Sequence, residues 1–256
     1  MYSSDNNNLH DHKIPAKQIL DLIESLGDDK LTAFFKQMEY TEEEKILYVY
    51  KQFNITPKYD QNNKILPVSE TDQLAAVNKN YYAIYLIKNP SEKVQLAAVN
   101  KNSSAIELIK NPSEDVQLAV VNKDGNDIYY ILQKGIIPSE KVQVAAINEN
   151  GGAIYHIIEK GINPSEKVQL AAINNNKDGS AIYYILQKGI IPSEKVQLAA
   201  VNEDGYAIKY IIKNGIIPSE DVQLAAVNNY CYAIRHIKNP SEKVKQIARD
   251  KGIKHV

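Results

Sequence analysis

The sequence of 256 residues has no tryptophan, one cysteine and two methionines, and its charges nearly cancel. The lone Cys231 excludes an internal disulfide framework and a zinc cluster built from cysteines. With 30 Lys+Arg against 31 Asp+Glu, the chain lacks the basic excess by which proteins coat duplex nucleic acid. No apolar run reaches the roughly 18 residues of a membrane-spanning helix, so we predict no membrane contact.

What remains is typical of an ordered protein. Hydrophobic residues make up 44% of the chain and charged residues 24%, which is enough apolar material to fold and too little charge bias for disorder. The residues after Met1, YSSDNNNLHDHK, are polar and acidic where a secretory signal is basic and then apolar. We therefore expect a cytoplasmic protein.

Internal repeats dominate the sequence. A degenerate copy of one phrase begins at Val68 and a truncated copy at Pro240. The phrase itself, PSEKVQLAAVN, returns with small changes from Pro90, Pro112, Pro138, Pro164, Pro192 and Pro218. Successive starts differ by 22, 22, 26, 26, 28, 26 and 22 residues. Periods of this size indicate a solenoid, in which each unit buries its apolar face against its neighbours.

Each repeat is predicted to form two short helices. In the second repeat, either Asn89 or Ser91 caps the first helix, which then buries its valines and alanines. A polar break follows, and the second helix buries the Ala-Ile pair near its start. We predict an all-α fold, namely a right-handed α-solenoid of short two-helix repeats, HEAT/armadillo-like, with an N-terminal helical cap.

The predicted organisation has three parts. Residues 1–67 lack the repeat and are interpreted as a helical cap with a mobile tail and a polar linker, and residues 240–256 as a truncated capping repeat. Seven complete repeats lie between them, numbered first to seventh below: 68–89, 90–111, 112–137, 138–163, 164–191, 192–217 and 218–239.

The third to sixth repeats are longer than the others. Their extra residues, about four in each, are predicted to extend the second helix by roughly one turn. A left-handed C-cap is then predicted at four glycines, each followed by an isoleucine: Gly135, Gly161, Gly189 and Gly215. The fifth repeat adds two further residues in its interhelix loop, near Asn175.

The recurring phrase, PSExVQLAAVN followed by AIxxI, covers Val68 to about Asp250. It resembles a short two-helix repeat family, a domain of unknown function that recurs in bacterial, phage and giant-virus proteins, including effector-like ones. The resemblance implies a helical repeat scaffold. It implies no catalytic residues, because the family has no agreed activity.

Variation among the repeats concentrates at the two residues after the Ala-Ile pair, which we call the first and second ladder positions. Residues that recur serve the architecture, whereas residues that differ can recognise a ligand. We predict that one side of the array binds a partner through Tyr129, Tyr130, Tyr155, His156, Tyr183, Tyr184, Lys209, Tyr210, Arg235 and His236. The alternative interpretation is that the tyrosines pack between successive second helices with their hydroxyls at the rim.

Two recurring amides are predicted to be structural. The asparagine after each LAAV run, such as Asn148, is expected to cap the first helix or to bond the turn backbone. The glutamine of the phrase, such as Gln169, is expected to form a solvent ladder or to bridge neighbouring repeats.

Sequence signals of an enzyme are absent. The chain has no P-loop and no GxGxxG, GxSxG or HExxH motif, and Cys231 has no neighbours that mark a nucleophile. His10 and His12 lie in a polar tail without a supporting shell of ligands. We predict no catalytic residue, no metal and no cofactor.

A protein is the predicted partner, because tyrosine and arginine dominate interface hot spots. The alternative is single-stranded RNA or DNA, whose bases stack on tyrosines. Beyond residue 66 the chain has 22 basic and 20 acidic residues, a net of +2, and no basic stripe runs through every repeat. No membrane and no small-molecule substrate are predicted, and we expect a monomer or homodimer. With the resemblance, these features favour a phage or bacterial inhibitor or adaptor that acts on a host defence or signalling component, in the cytoplasm of the producing or infected cell.

Overall fold

The structure is a computed structural model and describes residues 60–61, 66–176 and 179–254. Every regular element in these ranges is a helix, which confirms the all-α prediction for the described residues. Apart from residues 60–61 and 66–67, the helical cap, tail and linker predicted over residues 1–67 lie outside these ranges. The chain folds as two compact units, with the boundary between Ala97 and Ala98.

The first helix of each repeat begins directly after the serine of the recurring phrase. In the third repeat the Ser113 hydroxyl accepts a hydrogen bond from the Val116 N–H at 3.3 Å. Ser91 accepts from Val94 in the same way at 3.4 Å, so serine rather than Asn89 supplies the cap. The first helices are Glu70–Lys79, Glu92–Lys101, Glu114–Val121, Glu140–Glu149, Glu166–Asn175, Glu194–Glu203 and Glu220–Asn229, and Glu242–Asp250 is their counterpart in the truncated repeat.

The second helix differs between short and long repeats, as predicted. In the short repeats it is Ala83–Leu86, or the 3-10 helices Ser103–Leu108 and Cys231–His236. In the long repeats it is α-helical over Ile128–Gln133, Ala153–Glu159, Ser180–Gln187 and Ala207–Lys213, with the 3-10 turn Gly125–Asp127 ahead of the first of these. It ends three residues after the alanine of the Ala-Ile pair in the second repeat (105 to 108) and six residues after it in the fifth (181 to 187). The insertion therefore lengthens the helix by almost one turn.

A left-handed glycine ends each long second helix. Gly161 has φ 75°, its N–H bonds the Ile158 carbonyl at 2.9 Å, and the Ile162 N–H bonds the Ile157 carbonyl at 3.3 Å. This pair of bonds is the Schellman arrangement, which satisfies carbonyls at the helix end. The predicted glycine caps are confirmed.

Within the unit from Ala98 onward, successive repeats pack like against like. Each first helix contacts the first helix of the next repeat, and each second helix contacts the next second helix. The alanine of the first helix is buried at these contacts, with Ala146, Ala172 and Ala226 fully buried and Ala200 3% exposed. These small side chains let neighbouring helices approach closely.

A polar row also joins consecutive repeats along the N-terminal ends of the first helices. The Ser165 hydroxyl donates to the Glu140 carboxylate of the preceding repeat at 2.5 Å, and Lys167 lies 3.4 Å from the same carboxylate. The Ser165 hydroxyl lowers the pKa of Glu140, with Lys167 adding to the effect. The serine therefore caps its own helix and bonds the repeat before it.

The prediction for the recurring glutamine was wrong. The Gln169 side-chain amide donates to the Pro164 carbonyl at 2.9 Å, within its own repeat, and the equivalent bond recurs from Gln143 and Gln197. All three glutamines are buried. A residue in the fourth helical position reaches back over the first turn, so the glutamine fastens the chain entering its own helix instead of bridging repeats.

The recurring asparagine contributes less to the interhelix turn than the residue two positions after it. In the third repeat Asn122 is the C-cap, but in the fourth repeat Asn148 lies inside the helix and Asn150 is the C-cap. The Asn150 side-chain oxygen accepts from the Gly152 N–H at 2.9 Å, which forms the interhelix turn. The Asn or Asp two residues further on is thus the turn residue in most repeats.

Candidate functional site

The second helices of the third to seventh repeats bring the predicted site residues into one continuous surface. Their rings contact one another along the direction of stacking, and we call this set the aromatic ladder. It consists of Tyr129, Tyr130, Tyr155, His156, Tyr183, Tyr184, Tyr206, Tyr210 and His236.

The ladder has a regular geometry. Each ring at the first ladder position contacts the second-position ring of its own repeat and that of the next repeat. Measured between ring centres, Tyr155 lies 5.6 Å from His156 and 5.4 Å from Tyr184. Tyr183 lies 5.8 Å from Tyr184 and 5.4 Å from Tyr210. The ring planes cross at 62° to 70°, the edge-to-face arrangement that aromatic pairs favour.

Exposure differs between the two positions. The first-position tyrosines remain open to solvent, with Tyr129 43%, Tyr155 44% and Tyr183 38% exposed, whereas the second-position rings are half-buried. The structural packing expected in the alternative interpretation is therefore present, and it leaves three tyrosines accessible. Each of those tyrosines contacts two neighbouring rings.

The two cationic site residues lie over aromatic rings. Lys209 Nζ is 4.6 Å from the centre of the Tyr206 ring, and the Arg235 guanidinium is 4.6 Å from that of Tyr232. A hydrogen bond with the Tyr206 hydroxyl raises the pKa of Lys209. Lys209 is thus held at the hydroxyl end of Tyr206, and Arg235 is held by a cation–π contact with Tyr232.

The two histidines are neutral members of the ladder at pH 7. Burial lowers the pKa of His156, which packs edge-to-face with Tyr129 at 5.7 Å. Burial also lowers the pKa of His236, and the Lys209 charge lowers it further. Each imidazole therefore serves as an aromatic ring.

Tyr206 belongs to the ladder but is not among the residues predicted for the site. Tyr206 precedes the Ala-Ile pair of the sixth repeat and contacts Tyr210 at 5.7 Å and His236 at 5.5 Å, which carries the ladder into the seventh repeat. Tyr230, in the interhelix turn of the seventh repeat, approaches Tyr206 at 6.3 Å. The signal that could have found Tyr230 is a tyrosine where most repeats have the turn Asn or Asp.

Two clefts adjoin the ladder between the fourth and fifth repeats, and both are lined by Tyr155 and Tyr184. One has a volume of about 580 Å³ and is also lined by Asn150, Gly151, Gly152, Asn175, Asn176 and Ser180. The other has a volume of about 260 Å³ and is also lined by Ile158, Glu159, Tyr183, Gln187 and Lys188. The larger cleft is neutral among its described residues, whereas the smaller one contains the Lys188–Glu159 ion pair at 2.9 Å.

Within the described ranges, no cluster of His, Cys, Asp and Glu side chains has the composition of a metal site. No helix in those ranges is both long enough and apolar enough to cross a membrane. Comparisons with protein-family models, with curated proteins and with solved structures give no significant match. The resemblance to the short two-helix repeat family therefore stays a prediction.

Proposed function

We propose that the chain is a non-enzymatic helical-repeat scaffold that binds a protein partner along the aromatic ladder. Its repeats are proposed to stack as a right-handed α-solenoid of the HEAT/armadillo-like kind. The contacts of first helices with first helices, and of second helices with second helices, support this stacking, because a solenoid repeat buries its apolar face only against its neighbours.

The observation that carries the proposal is a row of exposed tyrosines whose rings pack against neighbouring rings. Tyr129, Tyr155 and Tyr183 are each about two-fifths exposed, and each is held by neighbouring rings. A side chain that is already ordered loses little entropy when it is buried in an interface. Tyrosine also offers a large apolar area and a hydroxyl for hydrogen bonding, which is why it recurs at hot spots.

The ladder cations favour a protein over a single-stranded nucleic acid. Phosphate binding requires a row of cations that point to solvent along the groove. Lys209 instead donates a hydrogen bond to the Tyr206 hydroxyl, Arg235 lies over the Tyr232 ring, and Lys188 pairs with Glu159 of the preceding repeat. The tyrosine rings are also engaged with one another edge-to-face, which reduces the ring area on which bases can stack. The roles predicted from the resemblance, an inhibitor or adaptor acting on a host component, remain predictions.

A capture experiment with matched ladder variants tests the proposal. The tagged full chain is used to retrieve partners from a lysate of its source cell, in parallel with Tyr155→Ala, Tyr155→Phe and Lys195→Ala variants. Lys195 is exposed on the first-helix side, where it lies 3.7 Å from Glu166, so Lys195→Ala controls for loss of a surface side chain away from the ladder.

We expect one protein to be retrieved by the wild type, by Tyr155→Phe and by Lys195→Ala, and to be lost or strongly reduced with Tyr155→Ala. Nuclease treatment should leave this retrieval unchanged, and raising the salt concentration should weaken it only modestly. Retrieval that nuclease abolishes, together with a steep salt dependence, would establish a nucleic-acid partner in its place. Equal retrieval of the partner by all variants would mean that the binding site lies outside the ladder.

A further inference from the structure

We infer that the larger cleft between the fourth and fifth repeats receives a tyrosine side chain of the partner. The inference rests on the proposed function and specifies which chemistry the ladder recognises. It is drawn from a comparison of this cleft with the place that Tyr206 occupies in the sixth repeat.

The residue before the Ala-Ile pair differs systematically along the array. It is Tyr206 in the sixth repeat and Tyr232 in the seventh, but Gly152 in the fourth and Ser180 in the fifth. In the sixth repeat the Tyr206 ring packs between the second-position rings of its own repeat and of the next, Tyr210 and His236. A ring at this position therefore bridges two repeats of the ladder.

Two of the three aromatic neighbours of Tyr206 have counterparts in the lining of the cleft, whereas Tyr210 corresponds to His156, which does not line it. By position in the repeat, Tyr230 corresponds to Asn176 and His236 corresponds to Tyr184. Both Asn176 and Tyr184 line the cleft, together with Gly152, which stands where Tyr206 stands. The fourth repeat thus has a cleft beside the position at which the sixth repeat carries a ring, and the volume of this cleft, about 580 Å³, is typical of sites that bind small ligands.

The polar lining specifies a tyrosine over a phenylalanine. Asn150, Asn175 and Ser180 surround the cleft, so amide and hydroxyl groups accompany the Tyr155 and Tyr184 rings. The Asn150 side-chain oxygen is already engaged by the Gly152 N–H, and among the described contacts its amide nitrogen has none, which leaves a donor for a phenolic oxygen. The described residues that line the cleft carry no formal charge.

The backbone permits an internal test. Gly152 has φ −66° and ψ −16°, which any residue adopts, and a Cβ there would meet only the side-chain oxygens of Asn150 at 3.1 Å and Asn126 at 3.9 Å. A Gly152→Tyr variant therefore supplies the missing ring from the chain itself. Ser104→Tyr introduces a tyrosine at the same position of the second repeat, away from the cleft, and is the matched control.

The test uses the side-chain analogues p-cresol, for tyrosine, and toluene, for phenylalanine, with adenosine as a nucleobase probe. Each is titrated to its solubility limit into the full chain, while the backbone amide resonances of Gly151, Gly152 and Ser180 are followed by NMR. We expect saturable shifts with p-cresol, and about three- to tenfold weaker binding of toluene, because toluene cannot use the amide lining. Gly152→Tyr should abolish the p-cresol shifts, and Ser104→Tyr should retain them.

Unsaturable shifts with p-cresol, or equal affinity for toluene, would overturn the inference. Binding of adenosine without binding of p-cresol would overturn it in favour of a nucleobase. The titration needs no partner protein, so its failure is distinguishable from failure of the proposed function. If the cleft does not bind p-cresol while partner binding still requires Tyr129 and Tyr183, the inference about the cleft is wrong and the proposed function stands.

Discussion

Close packing at the interhelix turn predicts that one glycine cannot bear a methyl group while another nearby can. A Cβ at Gly125 would lie 1.9 Å from the Ala146 carbonyl oxygen and 2.8 Å from the Asn150 nitrogen, both backbone atoms of the next repeat. The backbone of the fourth repeat would have to move to admit it. Gly152 is the matched control, since the nearest atom to its Cβ is the Asn150 side-chain oxygen at 3.1 Å.

We expect Gly125→Ala to destabilise the fold by about 1–3 kcal/mol, at the upper end because a carbonyl oxygen and not a side chain obstructs the methyl group. For a chain of this size that corresponds to a loss of about 2–12 °C in Tm. Gly152→Ala should change Tm much less, because its Cβ obliges only the Asn150 side-chain oxygen to shift, by a few tenths of an ångström, and alanine restricts the unfolded chain at a compatible φ. Thermal unfolding followed by circular dichroism measures both. Equal Tm values for the two variants would refute the close approach of successive repeats at this turn.

Three further predictions concern the core, the glutamine bond and pH. Ala172→Phe should lower the stability by about 1–3 kcal/mol in chemical denaturation, since Ala172 is fully buried between first helices; an unchanged midpoint would mean that this face is misassigned. Gln169→Ala should lower the folding stability by about 1–2 kcal/mol, because it leaves the buried Pro164 carbonyl without a hydrogen bond. The control Gln187→Ala, at an exposed residue, should lower it little. Equal losses of stability would contradict the bond between Gln169 and Pro164. Burial places the pKa of His156 in the folded protein below its ordinary value of 6.5. The neutral imidazole therefore adds its full share to the folding stability above pH 6.5, and this share declines as the pH falls toward the folded pKa. His156→Phe should therefore reduce the loss of Tm between about pH 7 and pH 5, and an unaltered pH profile would exclude this origin.

The periodicity of the sequence was sufficient to predict the helices, the longer second helices and the glycine caps. Each of these depends on residues a few positions apart, such as Gly161 and the isoleucine that follows it. The partner of Gln169 was predicted wrongly, because a glutamine that recurs once per repeat fits a bond within the repeat as well as a bond between repeats. The spacing alone does not distinguish the two.

The ladder could be predicted as a set of positions but not as a set of contacts. Its positions follow from the variation at the residues after the Ala-Ile pair. The reach of Tyr206 to His236, and the cleft beside Gly152, depend on how far apart successive second helices lie. That separation results from packing across repeats, and no local pattern encodes it. The cleft lies beside small residues, Gly151, Gly152 and Ser180, which the pattern of large side chains in the ladder does not reveal.

The affinity of the purified partner for ladder variants tests the central claim most directly. Isothermal titration with the wild type, Tyr155→Ala, Tyr184→Ala and Tyr155→Phe gives the free energy attributable to each ring, and circular dichroism confirms that each variant is folded. If the ladder is the binding surface, each alanine variant should weaken binding by about 2 kcal/mol or more, a rise in Kd of roughly thirtyfold, while Tyr155→Phe stays within a few-fold of the wild type. Wild-type affinity in both alanine variants would contradict the account and place the binding surface elsewhere in the chain.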